Sequence, residues 1–514
     1  MPKKAFPPTP HLMSIHTSEL LGRKIKKLRR LVQEWTKRLQ NYQSARLIAA
    51  LLFFVSMVPA AMKTDARTEL AYPAPFLIAF LFLVWRTRQL SRHARNLSRL
   101  ELFLNRQLQR SLGLPSGRSW QQAQQRSLDF PLIKDLGLVG SHSLWTLLDE
   151  TLSEGGQKNL LRWMSVEPLD PAVITARQQQ IQKLRPQTWF YSRLGIQADS
   201  NEFNLSTLQI QDFLKNSFVQ KSFPLLFAAN VIIWLLTVGL ALYATATATP
   251  IPPYVYLLFP ILSLSSLGAT GGAFLSGVGL SHHLSALAPT FAAIERRSKV
   301  SSELRKMCAR IFRDSPSKSA KKLDFILGFV GTQTNPILHL FLNVFSPWTI
   351  VSVFFLERLR SKMIQDFPAC IEELSEFEVV GSMLIFDKYQ TRTYPQVVSE
   401  TVLQTEQIFH PLIDRARAVA NDFAFPRGQS LGLLTGSNMS GKSTFLRTIG
   451  INQVLANMGA PVFANSLTTR PLKIETCIEV TDSLRDGYSY FYAEVRKLKD
   501  ILQTAATKTP VLFL

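Results

Sequence analysis

Cysteine is scarce in this 514-residue chain. Its three examples, Cys308, Cys370 and Cys477, stand far apart and match no metal or disulfide spacing, which argues against a disulfide scaffold and points to a reducing compartment. They read as packing residues. Acid is scarce as well: 36 Asp and Glu face 58 Lys and Arg, a formal charge of +22. The cations concentrate ahead of the C-terminal region, in runs such as Lys24, Lys26, Lys27, Arg29 and Arg30, a balance that suits anionic lipid headgroups, nucleic acid, or both. The extreme N-terminus is polar and Pro-rich with no apolar core followed by small residues, so it does not read as a signal peptide. The most informative lack is in the middle: residues 222–294 contain no Asp, Glu, Lys or Arg.

That uncharged stretch divides at Thr249-Pro250-Ile251-Pro252-Pro253, and its two limbs, residues 223–243 and 254–280, each reach the roughly 20 residues that cross a bilayer core. They predict a membrane hairpin, with Gly268, Gly272 and Ser276 at the spacing that lets membrane helices approach closely. Residues 47–62 and 70–85 predict a second, shorter hairpin whose ends Arg46, Lys63 and Arg86 extend by snorkelling. The Lys and Arg around these hairpins place both basic segments on the cytoplasmic side. A further uncharged run, residues 325–356, is interrupted by Pro336 and Pro347 and holds Asn335, His339 and Asn343, so it predicts the buried helical core of the soluble part. Leu21, Ile25, Leu28, Val32, Trp35 and Leu39 alternate four and three apart and form one apolar face of a basic helix. Such a helix lies on a membrane surface, pairs with another helix, packs on the protein's own core or touches nucleic acid.

Chemistry enters near the C-terminus. Gly436-Ser437-Asn438-Met439-Ser440-Gly441-Lys442-Ser443-Thr444 is a complete G-x-x-x-x-G-K-S phosphate loop, with residues 431–434 expected as the strand that delivers it and residues 444–455 as the helix that leaves it. The glycines let successive N–H groups face a β-phosphate, Lys442 reaches the β- and γ-phosphates, and the Ser443 hydroxyl sits on Mg²⁺, so ATP with Mg²⁺ is the expected ligand. An acidic residue at the tip of a neighbouring strand must also hold the metal through water. Residues 510–514 look like that strand, and the acids that should follow lie beyond Leu514. The chain therefore reads as a fragment, with nucleotide binding expected more firmly than hydrolysis.

Taken together these stretches resemble the MutS family of DNA-associated ATPases. Residues 433–447, with Asn438-Met439 between the glycines, look like that family's phosphate loop, preceded by His410-Pro411 and by Asn421-Asp422 at the nucleotide-contacting Asn segment. Asp486 to Phe491 with Glu494 looks like its signature loop, although Tyr490 stands where Thr is usual. The resemblance implies that Ser489 reaches the γ-phosphate of a partner subunit, hence a homodimer of ATPase heads. Residues 147–152 with Gly155, Gly156, Leu160, Leu161, Arg162 and Trp163 are similar to the start of the MutS core, and residues 373–386 to its last helix, a coverage of a little under half the chain. The departures are a basic, membrane-like N-terminal region in place of a mismatch-reading domain, a membrane hairpin where levers and clamp would grow, and Ala418 where an aromatic ring would stack on adenine.

The expected architecture is multidomain, an all-α core with transmembrane helices plus an incomplete C-terminal α/β P-loop NTPase domain. Its parts are a basic segment (1–45), a first hairpin (46–86), a cytoplasmic helical region (87–221), a second hairpin (222–294), a second part of the core (295–400) and the ATPase domain (401–514). The function expected is a multi-pass membrane protein with about four spanning helices and a cytoplasmic head that binds ATP and Mg²⁺ and closes as a dimerisation switch on membrane lipids. Alternatives are an ATP-dependent DNA tether at the membrane and the motor of a transporter. The last is weakened because His282 and His283 are the ionisable residues of the uncharged run and read as interfacial.

Overall fold

The computed structural model describes residues 10–61, 74–111, 135–165, 169–198, 206–217, 219, 222–249, 260–261, 280–331, 335–389, 393–400, 402–414, 417–425, 428–429, 431–478, 495, 498–499, 501–503 and 510–514. They are mostly helical, with a small C-terminal sheet. In chain order the helices are α1 (Pro10–Ala61), α2 (Ala74–Ser111), α3 (Leu144–Leu148), α4 (Glu154–Ser165), α5 (Pro171–Leu184), α6 (Thr188–Ala198), α7 (Thr207–Lys215), α8 (Phe223–Thr247), α9 (Leu280–Ser298), α10 (Ser302–Met307), α11 (Ala309–Asp314), α12 (Pro316–Val330), α13 (Pro336–Phe345), α14 (Trp348–Tyr389) and α15 (Lys442–Met458). The strands are β1 (Gln396–Val397), β2 (Leu403–Ile408), β3 (Asn421–Ala424), β4 (Ser466–Thr469), β5 (Lys473–Glu475) and β6 (Val511–Phe513). The chain divides into two compact units, residues 1–149, 161–203 and 383–514 in the first and residues 150–160 and 204–382 in the second.

In the first unit the basic N-terminal stripe resolves as helix pairing. Leu21 and Ile25 are buried and Leu28, Val32, Trp35 and Leu39 half-buried, because α1 packs along α2. The Trp35 and His93 rings lie 5.8 Å apart and Arg29 Nε meets Glu101 Oε1 at 2.9 Å, so the two helices run antiparallel. That ion pair is exposed on its Arg29 side and contributes at most about 1 kcal/mol, so the apolar seam holds the hairpin. The pairing brings the end of α1 and the start of α2 together, and apolar residues there, among them Phe54 (69% exposed) and Ile78 (67%), face outward. Neither end, among the described residues, is by itself long and apolar enough to span a bilayer.

Behind the hairpin, Trp145, Leu148, Tyr191 and Ile181 form a helical core. Asp170 caps α5 by accepting from Ala172 N at 2.7 Å, with Pro171 at the first position where its missing N–H costs nothing. The larger sheet has the order β1-β4-β2-β3, with β1 parallel to β4 and β2 antiparallel to both its neighbours. A separate pair, β5 and β6, is parallel, so residues 511–513 form the strand expected at the end of the chain. The polar residues of α15 lock the sheet to it. Buried Asn452 accepts from Phe463 N at 2.7 Å, and Gln453 accepts from Thr469 Oγ1 at 2.8 Å while donating to Arg470 O at 3.0 Å.

In the second unit α4 begins against α14 at a close approach that glycine permits. A Cβ on Gly155 would lie 2.7 Å from Thr207 Oγ1, and one on Gly156 would meet the carboxylate of Glu378. Glu378 is fully buried, and its Oε2 accepts from Leu152 N at 3.0 Å, Ser153 N at 2.9 Å and Ser153 Oγ at 2.9 Å, which satisfies donors just ahead of α4. Arg360, also buried, donates to the last-turn carbonyl of Leu214 in α7.

One helix among the described residues, α8, is long and apolar enough to cross a bilayer, or two if the bent pair α13 and α14 forms one span. The qualifying helix has mean hydropathy 2.4 and only 6% of its apolar window is buried. It lies against the other two: Phe227 stacks on Phe354 at 4.1 Å and Trp234 Nε1 donates to Phe345 O at 2.9 Å. The second limb expected for this hairpin, with Gly268, Gly272 and Ser276, lies outside the described residues. His283 is half-buried in α9, where its Nδ1 accepts from Ser206 N at 3.4 Å.

Residues 325–356 correct the sequence reading. They form the end of α12, all of α13 and the start of α14, but Phe325 (68% exposed), Phe341 (59%) and Phe345 (65%) face outward, so this is not a buried core. The prolines and polar residues start and bend helices. Pro336 takes the first turn of α13 under an Asn335 cap that accepts from Leu338 N, and Asn343 Oδ1 accepts from Thr349 N across the 90° bend.

Candidate nucleotide-phosphate site

The loop at 436–443 is built from two left-handed residues and a turn. Ser440 N donates to Ser437 O at 3.3 Å, Met439 sits at φ 67° and Gly441 at φ 92°, and α15 begins at Lys442. Glycine adopts that conformation at Gly441 without the Cβ clash that any other residue meets. Gly436 has its own reason, since an added Cβ would lie 2.8 Å from Ser440 Oγ. Lys442 folds back across the loop, its Nζ donating to Gly436 O at 2.8 Å and Ser437 O at 2.6 Å. The ammonium is thus held over the concave side of the turn, where first-turn N–H groups of α15 and the positive end of its dipole also converge.

Met439 projects fully into solvent, and Ser437, Asn438, Ser440, Ser443 and Thr444 are exposed, so the loop can receive a ligand without repacking. Ser443 stands in the first turn beside Lys442, where a hydroxyl can share Mg²⁺ with bound phosphates. Among the described residues no group of three or more His, Cys, Asp or Glu is arranged to hold a metal.

One expected part of the site is corrected. Residues 431–434 are not a strand, and Leu431 (84% exposed) and Leu433 (87%) lie open to solvent. A strand needs a ladder partner, and no described strand runs beside this segment, since β6 pairs with β5 instead. The helix expected at 444–455 is present and longer, from Lys442 to Met458, stopped by Gly459 at φ 76°.

The strand that Asn421 opens, β3, reaches the helix that follows the loop. Two residues on from Asn421, the Phe423 ring meets the Phe445 ring edge-on at 5.6 Å, in the first turn of α15. Asn421 Nδ2 donates to Val419 O at 3.2 Å, and Asp422 Oδ1 accepts from Gln407 N and Nε2 at 2.7 and 3.0 Å across a bulge in β2. Ser489 and the rest of 486–494 lie outside the described residues.

His410 sits behind the loop helix. Its Nδ1 accepts from Leu412 N at 3.2 Å, and burial, with Arg447 and His142 nearby, lowers its pKa to about 4, so it is neutral at physiological pH. His142 Nε2 lies 2.9 Å from Leu412 O, and Asp135 accepts from Arg447 Nε on its carbonyl and from Thr476 Oγ1 on its carboxylate, at 3.0 and 2.9 Å. Sequence reasoning missed Asp135 and His142, which no local motif marks.

A glycine-flanked turn, a lysine folded over it and a helix N-terminus behind it form an arrangement that can hold the phosphates of a nucleotide. Comparison with known proteins gives this class a family context. Residues 432–513 match MutS domain V. The chain is similar to the DNA mismatch repair protein MutS of Streptococcus sanguinis, 30% identical over 158 residues, which is 30% of this chain and 18% of that protein. It is likewise similar to the MutS of Leuconostoc citreum, 30% identical over 148 residues, 28% of this chain and 17% of that one. The similarity supports the MutS family for this part of the chain, which spans less than a fifth of the length of the curated relatives it matches.

Proposed function

We propose that this protein is a membrane-anchored MutS-like ATP-binding protein. ATP with Mg²⁺ binds at Gly436–Thr444, and its binding drives pairing of two heads, with Ser489 meeting the partner's γ-phosphate. The observation that carries the reading is Lys442, whose ammonium is held over a turn that contains two left-handed residues and runs directly into helix α15. Membrane attachment is supported by α8, 25 residues long with mean hydropathy 2.4 and only 6% of its apolar window buried. The head is cytoplasmic on this reading, with the basic α1–α2 hairpin on the same side.

Lys442→Ala tests the nucleotide part. It removes a charged donor worth about 1.5–3 kcal/mol, so labelled ATP with Mg²⁺ should bind on the order of tenfold to a hundredfold more weakly, while far-UV circular dichroism and vesicle association stay unchanged. Equal ATP retention by the variant ends the proposal. Partition into the aqueous phase without detergent ends the membrane part alone.

A second reading, association with DNA, is favoured by the charge of +22 and the exposed cations of α1 such as Lys26, Lys27 and Arg30. Retention on DNA that falls steeply with salt supports it, and no retention at low ionic strength removes it.

A further inference from the structure

In the second unit, α12 and the first half of α14 enclose an open cavity of about 520 Å³, within the range of roughly 300–1,000 Å³ typical of small-molecule sites. Its walls are apolar and aromatic. Phe325 and Phe329 meet edge-on at 4.7 Å, Phe329 meets Trp348 at 5.2 Å, and Phe355 closes the other side. The charged residues that line it are all positive: Lys322, Arg358 and Lys362, each exposed.

Their placement is polar in the literal sense. The Phe329–Trp348 contact joins the end of α12 to the start of α14, so the helices run antiparallel and Lys322 falls at the same end as Arg358 and Lys362. From Trp348 to Lys362 the groove extends about 21 Å at 1.5 Å per residue. One end is thus aromatic and apolar, and the other carries three cations.

Helix α8 sets the level of that cationic end. Its first turns face Phe354 through Phe227, and Trp234 further along meets Phe345, so α8 runs from the charged end of the groove past the aromatic end. Ser217, just ahead of α8, donates to Glu357 Oε1 at 3.2 Å, which puts polar contacts at the level of Arg358. If α8 crosses a bilayer, the three cations lie at the headgroup boundary and the aromatic walls lie in the hydrocarbon.

We propose that this groove holds one anionic membrane phospholipid, with its phosphate at Lys322, Arg358 and Lys362 and an acyl chain along Ile326, Val351 and Phe355. The proposal rests on the membrane reading above. Charge complementarity selects the headgroup, since a zwitterionic lipid would bring a cation to a site that already has three. The length and apolar lining of the groove select an acyl chain over a free phosphate or a nucleic acid.

The test is native mass spectrometry of the full chain in a neutral detergent, with phosphatidylglycerol and phosphatidylcholine offered in equal amounts. Wild type should retain one phosphatidylglycerol in preference to phosphatidylcholine. Each of Lys322→Gln, Arg358→Gln and Lys362→Gln should weaken retention about fivefold, and the triple variant by on the order of a hundredfold. These side chains are exposed, so the variants keep the fold. Ile326→Trp should also expel the lipid by filling the groove while leaving every cation in place.

Equal retention of the two lipids, or undiminished phosphatidylglycerol on the triple variant, overturns the proposal. Flotation with neutral vesicles separates the two layers of the reasoning. Flotation without selective retention leaves the anchor standing and removes the lipid site. Selective retention without flotation leaves the lipid site and removes the anchor.

Discussion

Gly156→Ala reverses the usual sign of a glycine substitution in a helix. Elsewhere in a helix such a change stabilises by up to about 1 kcal/mol, because alanine loses less backbone entropy on folding. At Gly156 the new methyl would meet Glu378, coming within 3.0 Å of Cδ and 3.1 Å of Cβ and closer still to Oε2. The carboxylate must move, and Oε2 is the atom that accepts from Leu152 N, Ser153 N and Ser153 Oγ. Hydrogen bonds to a charged group contribute about 1.5–3 kcal/mol each, so losing two of them costs about 3–6 kcal/mol. After the gain in helix propensity, a net destabilisation of about 2–5 kcal/mol remains. Hydrogen–deuterium exchange of the peptide bearing Leu152 and Ser153 reads this directly: local opening should rise on the order of a hundredfold relative to wild type. The same substitution made on a Glu378→Ala background should cost much less, since the obstructing carboxylate is gone and only the Cβ contact at 3.1 Å remains. Exchange that stays the same or slows in the otherwise native protein would refute the reasoning.

Three further outcomes follow from the first unit and the cysteines. Gly441→Ala should weaken ATP binding about fivefold to thirtyfold in a fluorescent-nucleotide titration, although a Cβ there has open space around it, because φ 92° costs an L residue roughly 1–2 kcal/mol. His410 has a folded pKa of about 4 against an unfolded value near 6.5, so the unfolded chain takes up its proton first. Stability is therefore unaffected above pH 6.5, falls between about 6.5 and 4 by roughly 3 kcal/mol, and His410→Phe should flatten that part of a melting-temperature profile. Burial pushes the Cys370 thiol up to about 12 and Cys308 well above its ordinary value, so alkylation at pH 8 should label half-exposed Cys477 and reach the other two only on unfolding.

Much of the helical framework was legible because its signals are periodic or local. The stripe from Leu21 to Leu39 marked a seam that α2 covers, and the loop from Gly436 to Thr444 marked the helix that follows it. What failed depended on partners distant in the chain. Residues 431–434 have the apolar composition of a buried strand, yet apolar composition does not supply a ladder neighbour. Residues 325–356 have the composition of a core helix, and composition cannot say whether the apolar neighbour is protein or something else. Glu378 was invisible for the same reason, its donors lying 225 and 226 residues upstream.

Arg110 gives the first unit an unexpected stiffness. Buried in the last turn of α2, it donates to the carbonyls of Thr146 and Asp149, which fastens the basic hairpin to the short helix α3. A few residues before that helix, Asp135 and His142 grip Arg447 and Leu412, the first of these one turn beyond the phosphate loop. Any shift in the opening turn of α15 must either drag this chain of links or snap the bond between Arg447 and Asp135. A hairpin resting on an anionic surface would thus feel events at the loop as a mechanical load, with Arg110 as the pin through which the load passes.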